Sequence, residues 1–427
     1  MFLIWSDQPL KLSKLIITLG KEKGSLNILF LTIAYPESAE DTNLYTDLMQ
    51  ELSERGNKVH VVTSCERRHG KKTTLSYKNG ISVLRVKTGN LTKTNFFEKG
   101  ISSILLERQF RSAINRYYGN MDFDLLIYST PPVTFNSLIK FFKKSSSVKT
   151  YLLLKDIFPQ NAVDLGLLKK DSILYRLFRN KEISLYCQSD FIGCMSPNNV
   201  KYLLQHNPFL QNKTVEVCPN SIYPDNNSIN DKDKQLLREK YNIPSEATIF
   251  LYGGNLGKPQ GIHFLFDIIK SQKDNRKVFF IIVGSGTEYG SIRQNIKQYD
   301  INNTLLLEHL PKKEYDSLVQ ACDAGLIFLD RRFTIPNFPS RLLSYMQYSL
   351  PVIAATDKNT DIGTIIQDGN FGYWCESEDL DSFNSIINSI VSDKDSLKLL
   401  GINARNYLLE NYTVKTSCDI ILRHFTI

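Results

Sequence analysis

The chain has 427 residues, more than one compact core usually organises, so two domains are expected. Hydrophobic residues make up 42% and charged residues 22%, ordinary globular proportions in which disorder is not the main theme. The formal charge of +8 is a mild basic excess without a dense basic cluster interleaved with aromatics, which argues against a nucleic-acid partner and suits a phosphorylated substrate or an anionic lipid surface.

Seven cysteines, at 65, 187, 194, 218, 322, 375 and 418, show no C-x-x-C spacing and read as reduced core thiols of a cytosolic protein. The six histidines are scattered, none paired at helix-face spacing, so neither a structural nor a catalytic metal is expected.

In chain order, residues 1–25 read as an N-terminal extension. Its apolar start, Met1 to Trp5, is interrupted by Asp7, Lys11 and Lys14, too soon to span a bilayer and without a signal-peptide layout. The regular pattern begins at Asn27 with "NILFLTIAYP", a buried parallel strand running into a loop. "NLYTDLMQELSERG" follows, with Leu44, Leu48 and Leu52 at helical spacing and a stop at Gly56. "KVHVVTS", "DLLIYST", a helix through "SLIKFFKK", "KTYLLLKDIFP" and "SDFIGCMS" continue the alternation, which predicts an open doubly wound sheet. Residues 223–244 are rich in Asn, Asp and Lys and read as a linker entering a short helix. "TIFLYGGNLG", "KVFFIIVGSG", "TLLLEHLP", "AGLIFLD" and "LPVIAA" then restart the alternation. The fold class is therefore α/β: an N-terminal domain over 26–222 and a C-terminal domain over 245–411, facing each other across a cleft at the carboxyl ends of their strands.

Several segments carry candidate chemistry. In "LYGGNLGKPQG", Gly253, Gly254 and Asn255 lead past Lys258 into a helix near Gly261, a layout that brings backbone N–H groups and a helix start to a phosphate, or simply makes a tight turn. "VGSG" places Gly284 and Gly286 in a second strand-end loop, and the backbone around His309 can frame a nucleobase. In "PNFPSRLLSYM", Pro339 and Ser340 sit where a helix should begin, and Arg341 falls in its first turn. A cation there is unfavourable unless an anion is bound, which makes Arg341 a diphosphate candidate; a solvated surface arginine is the alternative. In the first half, "KDIFP" puts Lys155 and Asp156 after a buried strand, where Asp156 can orient an acceptor hydroxyl or take its proton, or cap a turn. "STPP" at 129–132 lines the same edge. Residues 96–118 mix Ile101, Ile104 and Leu105 with Arg108, Arg111 and Arg116, as in a basic helix lying on a membrane surface or a core-facing helix with a wet side.

The collinear set "NILFLT…YPE", "STPP", "KDIFPQ", "MSPN", "CPNSI", "YGGNLG…QG", "VGSG", "DAGLIFL" and "PSRLLSYM…LPVIA" resembles the family 4 retaining glycosyltransferases, and most of all the fucosamine-transferase-like branch of O-antigen and capsule pathways. The resemblance covers residues 26–427. It implies a GT-B fold of two Rossmann-like domains, with a nucleoside-diphosphate sugar (UDP-linked) held by the C-terminal domain and no metal or cofactor. It also implies a lipid-linked glycan acceptor on the N-terminal domain, a C-terminal helix (about 412–427) packed back over that domain, and a cytoplasmic location peripheral to the membrane. The helix in "SLKLLGINARNYLLENY" is the other candidate for that return. Donor positions would be Gly254, Asn255, Gly284, Ser340 and Arg341, and Lys155 and Asp156 match the acidic strand-end motif.

The chain departs from the family at three places. Two glutamates eight positions apart are replaced by Pro336 and Ser344, the phosphate-loop arginine and lysine fall at Asn255 and Gln260, and the loop after the first strand has no glycine. Lys258 could supply the missing charge, and Ser344 a weaker ribose contact. These departures motivate two alternatives to transfer: a non-catalytic subunit that stabilises a partner glycosyltransferase, and a nucleotide-sugar epimerase.

Overall fold

The computed structural model describes residues 25–38, 41–91, 96–119 and 121–425. The N-terminal extension therefore lies outside the described residues, Ser25 excepted. The first half builds strands β1 (Asn27–Leu31), β2 (Lys58–Glu66), β3 (Thr74–Lys78), β4 (Ile81–Thr88), β5 (Leu125–Ser129), β6 (Lys149–Leu154), β7 (Phe191–Cys194) and β8 (Thr214–Val217). They form one sheet in the order β3-β4-β2-β1-β5-β6-β7-β8, parallel except for β3. The central strands are buried on both faces because helices cover both, which is why they read as unbroken apolar runs.

The second half builds β9 (Thr248–Asn255), β10 (Val278–Ser285), β11 (Thr304–Leu307), β12 (Ala324–Phe328), β13 (Val352–Thr356) and β14 (Gly372–Glu376). Their order, β11-β10-β9-β12-β13-β14, is all parallel and reverses between β9 and β12. This is the Rossmann order, and ligands bind beyond the strand ends at such a reversal. The corresponding reversal in the first sheet falls between β1 and β5.

The chain crosses between domains twice, side by side. Ile222 pairs with Thr413, its N–H donating to the Tyr412 carbonyl at 3.1 Å. The helix Ser396–Asn411 does not return to the first domain. It stays on the second, with Leu397, Leu400, Ala404 and Leu408 in its core. The short helix beyond the crossing, Val414–Leu422, makes the return, burying Val414, Cys418 and Ile421 against Ile28, Phe30, Leu48 and Val61 of the first domain. Residues 223–244 divide between the domains. Tyr223 donates to Glu51 at 2.9 Å on the first, while the helix Asp231–Lys240 is tied to the second through Arg238 and Asp323 at 3.2 Å.

A strap from the second domain closes one end of the interface. Phe333 and Ile335 are buried in the first domain's core. Between them, Thr334 is held by the Asp164 carboxylate, which accepts from its N–H at 2.8 Å and its hydroxyl at 2.9 Å. The Asn199 amide donates to the Pro336 carbonyl. The Asp361 carboxylate accepts from the Asn198 N–H at 3.2 Å, in the first turn of the helix Pro197–His206, and burial raises its pKa.

Candidate functional site

The site is built at the reversal between β9 and β12. The last residues of β9, Gly253 to Asn255, run beside the last residues of β10, with Gly254 opposite Gly284. The two loops are knitted together: the Leu256 N–H donates to the Ser285 carbonyl at 3.0 Å, and the Glu288 N–H to the Leu256 carbonyl at 2.9 Å. Each glycine is there for close approach. A Cβ on Gly284 would stand 1.8 Å from the Gly254 oxygen, and one on Gly286 would stand 2.2 Å from the Leu256 oxygen. Gly254 and Asn255 remain exposed. Lys258, also exposed, opens a single 3-10 turn, Lys258–Gln260. Gly261, left-handed at φ 56°, ends that turn and starts the helix Ile262–Ser271.

Across this loop lies the helix Arg341–Gln347. Its buried face, Leu342, Leu343, Tyr345 and Met346, fixes it against the sheet. Ser340 precedes it, exposed and making no side-chain cap bond, while the Leu342 N–H donates to the Pro339 carbonyl at 3.2 Å and the Leu343 N–H to the Ser340 carbonyl at 3.1 Å. Arg341 turns inward over the Tyr252 ring, 4.4 Å from guanidinium carbon to centroid, and donates through one terminal nitrogen to Gln260. That same nitrogen stands 3.3 Å from where a Cβ on Gly254 would be. The other terminal nitrogen, Nη1, is buried with no hydrogen-bond partner. Among the described residues no carboxylate forms an ion pair with Arg341; its surroundings are the phenols of Tyr252, Tyr345 and Tyr315.

Those tyrosines hold the strand ends in place. The Tyr345 hydroxyl accepts from the Gly253 N–H at 3.1 Å and reaches the Leu251 and Leu326 carbonyls at 3.2 Å. The Tyr315 hydroxyl would be 2.0 Å from a Cβ on Gly253 and bonds Ser344; burial pushes its pKa up to about 12. A cation buried without an acid is costly, and an unsatisfied buried N–H adds to the cost. The arrangement can offset both by taking an anion between Arg341 and the exposed backbone at Gly254.

Not every sequence candidate meets at this point. Gly253, Gly254, Asn255, Gly284, Gly286, Arg341 and Ser344 stand together, and Ser340 heads the same helix. His309 is exposed in the loop after β11. In the first domain, Thr130 ties "STPP" to the end of β6: its hydroxyl accepts from the Lys155 N–H at 3.1 Å and the Asp156 N–H at 3.3 Å. The Asp156 carboxylate is half-buried and accepts from the Asn161 amide at 2.8 Å. Lys155 is turned inward instead. Its ammonium reaches the Cys218 carbonyl at 3.4 Å, beside a water-sized cavity lined by Leu44 and Asn220, and burial holds its pKa below the ordinary lysine range. Sequence reasoning missed the tyrosine surround and the Gln260 contact, both of which are tertiary.

The comparisons with known proteins bear on the architecture and on the class of enzyme. Residues 233–407 match the family Glycosyl transferases group 1. Among curated proteins, the chain is 26% identical over 302 residues to the "Probable glycosyltransferase WbjE" of Pseudomonas aeruginosa, covering 69% of this chain and 72% of that one. Among solved structures, HepE of Anabaena in complex with UDP and glucose superposes with a TM-score of 0.69 at 15% identity, over 93% of this chain and 99% of that one. WaaG, a glycosyltransferase involved in lipopolysaccharide biosynthesis, superposes with a TM-score of 0.62 at 14% identity, over 92% and 99%. The two facing domains have the GT-B fold, and the second carries the match to the group 1 glycosyltransferase model. The protein is a glycosyltransferase.

Proposed function

We propose that the chain transfers a sugar from a nucleoside-diphosphate sugar, UDP-linked, to a lipid-linked glycan in surface-polysaccharide biosynthesis, with retention of configuration. The reading rests on one observation: the guanidinium of the half-buried Arg341, lacking an acid and with its Nη1 buried and unbonded, beside the exposed Gly254 at the reversal of the second sheet. The donor diphosphate would lie between Arg341, the exposed backbone at Gly254 and Asn255 and the exposed Ser340 at the head of the facing helix. Positive charge and fixed N–H dipoles there would stabilise the diphosphate as it leaves, a task that calls for no metal. The acceptor hydroxyl would approach from the side of Asp156. The UDP in the HepE complex and the lipopolysaccharide role of WaaG support the donor and pathway assigned here. Transfer would take place at the cytoplasmic face of a membrane; no helix among the described residues is long and apolar enough to cross one.

The strap favours a second reading. Pro336 stands where the family's first glutamate is expected, and its carbonyl is held by Asn199 while Ile335 is sunk in the first domain. Such a chain could bind a nucleotide and serve only to stabilise a partner enzyme. A thermal-shift panel of UDP, GDP, dTDP and CMP sugars tests donor binding, since a ligand that binds only the native state raises its stability. Turnover of the bound donor with a polyprenyl-diphosphate-linked glycan then separates the readings. Transfer supports the first, and donor binding with no turnover supports the scaffold. Conversion of donor without acceptor would mark an epimerase, and no shift with any nucleotide would refute the site.

A further inference from the structure

Three helices lie side by side on one face of the first domain: Phe96–Tyr118, Asn136–Ser145 and Ile173–Gln188. Glu107 of the first accepts from the Ser137 N–H at the start of the second at 2.6 Å, and the Arg111 guanidinium lies 4.0 Å over the Phe141 ring. Asn136 of the second donates to the Lys181 carbonyl of the third at 3.0 Å. Their inward stripes are fully used: Leu106, Phe110 and Ile114, then Leu138 and Ile139, then Leu185 and Tyr186, share one core.

The outward stripes are not polar as a wet face would be. Ile101, Ile104 and Leu105 stand 61%, 65% and 40% exposed on the first helix. Leu167, Ile173 and Leu177 stand 65%, 89% and 48% exposed at and just before the third. Single exposed aliphatics need no explanation, but six on two flanks of one platform do. Between and around them the exposed charges are mainly cations: Arg108 and Arg111, Lys140 and Lys144, Lys169 and Lys170. The acids of these elements are mostly drawn inward. Glu107 binds the start of the second helix, and Glu182 binds Arg179 and Tyr186, leaving Asp171 exposed. In a doubly wound sheet each helix begins at the carboxyl edge of the strands. The aliphatic groups, near the starts of their helices, therefore lie at the cleft rim, and Leu167, Ile173 and Leu177 follow Asp156 closely in the chain.

We infer that this three-helix platform docks the protein on an anionic lipid surface, the aliphatic side chains entering the headgroup layer and the cations resting on lipid phosphates. The inference rests on the proposed lipid-linked acceptor, whose reactive end would then enter the cleft from the rim. Apolar insertion and basic charge act together in such binding, with about a fivefold gain in affinity per cation.

The test is co-sedimentation of the full chain with phosphatidylcholine vesicles, with and without phosphatidylglycerol. Wild type should pellet with the anionic vesicles and be released by salt. The quadruple variant Ile104→Ser, Leu105→Ser, Ile173→Ser, Leu177→Ser should bind at least about tenfold more weakly, since each substitution removes an inserted side chain. Arg108→Glu with Arg111→Glu should lose a similar factor. All the altered side chains are exposed, so circular dichroism and nucleotide thermal shifts should stay at wild-type values. Failure of wild type to bind anionic vesicles, or equal binding by the quadruple variant, overturns the inference. So does a change of oligomeric mass in the variants without lipid binding, which would make the face a protein interface. A failed nucleotide panel leaves the vesicle result intact, so the two readings fail separately.

Discussion

Replacing Arg341 with methionine separates a structural arginine from one that holds an anion. Methionine keeps much of the aliphatic bulk and removes the charge. Two stabilising contacts go: the stacking on Tyr252 at 4.4 Å, about 0.5–2 kcal/mol, and the hydrogen bond to Gln260, about 1.5–3 kcal/mol for a charged donor. Against them stands the desolvation of a buried cation without an acid, which costs several kcal/mol. The terms oppose, so the unliganded variant should unfold within about 2 kcal/mol of wild type, in either direction. Nucleotide affinity has no such compensation. Losing one partner of a buried charge pair costs about 2–5 kcal/mol, roughly a thirtyfold to several-thousandfold loss. Urea unfolding and titration calorimetry, using the nucleotide that binds wild type, check the two halves. A variant that binds nucleotide as wild type does while unfolding about 4 kcal/mol more easily would refute the reasoning, because the guanidinium would then serve packing alone.

Two further substitutions test the frame around the site. Burial raises the Asp357 carboxyl from 3.8 to about 6, and its Oδ2 has no partner. A raised acid stabilises the fold below its unfolded pKa and loses that contribution as pH rises through about 6, an upper limit of about 3 kcal/mol for a two-unit shift. Asp357→Asn should therefore gain about 1–2 kcal/mol over wild type at about pH 7.5 and nothing near pH 4. Urea unfolding across that range decides, and a gain independent of pH would remove the cause assigned here. Gly284→Ala must move the β9 loop, since its Cβ meets the Gly254 oxygen at 1.8 Å; it should cost at least about 2 kcal/mol and weaken nucleotide binding. Gly290→Ala, with nothing within 4 Å of its Cβ, is the control and should be neutral or slightly stabilising by melting temperature.

The architecture was legible because the central strands are apolar on both faces, and only a doubly wound sheet asks for that at this length. "NILFL", "LLIYS" and "TIFLYGGN" all fall in strands next to a reversal. The edge was harder. The β3–β4 hairpin went unread although Asn79-Gly80, at φ 49° and 79°, is a strong turn signal between alternating strands. The helix at 396–411 shows a limit of another kind. Its apolar residues declare a buried face but not which domain buries it, and the partner is chosen by the crossing at Ile222 and Thr413. Lys155 shows a third. A charged residue at a strand end was expected to face the cleft, yet the chain at 218–221 and the helix Leu44–Glu54 cover it.

The same logic explains how the second domain can lack the expected loop cations and still present positive charge. Where the resemblance leads one to expect arginine and lysine, the loop carries Asn255 and Gln260, neither of them charged. Gln260 does not replace a cation; it fixes one, bonding Arg341 from the facing helix so that the guanidinium lies beside Gly254. An arginine delivered this way passes over Tyr252 and needs the side chain of residue 254 out of its path, a demand glycine meets and alanine would contest at 3.3 Å. Charge supplied from the helix also ties the site to whatever fixes that helix. The segment leading into it is the strap whose Phe333 and Ile335 are buried in the first domain and whose Thr334 is held by Asp164. The position of the donor-side cation is thus coupled, through the five residues between Ile335 and Arg341, to the domain proposed to hold the acceptor. A cation on the β9 loop would have no such dependence.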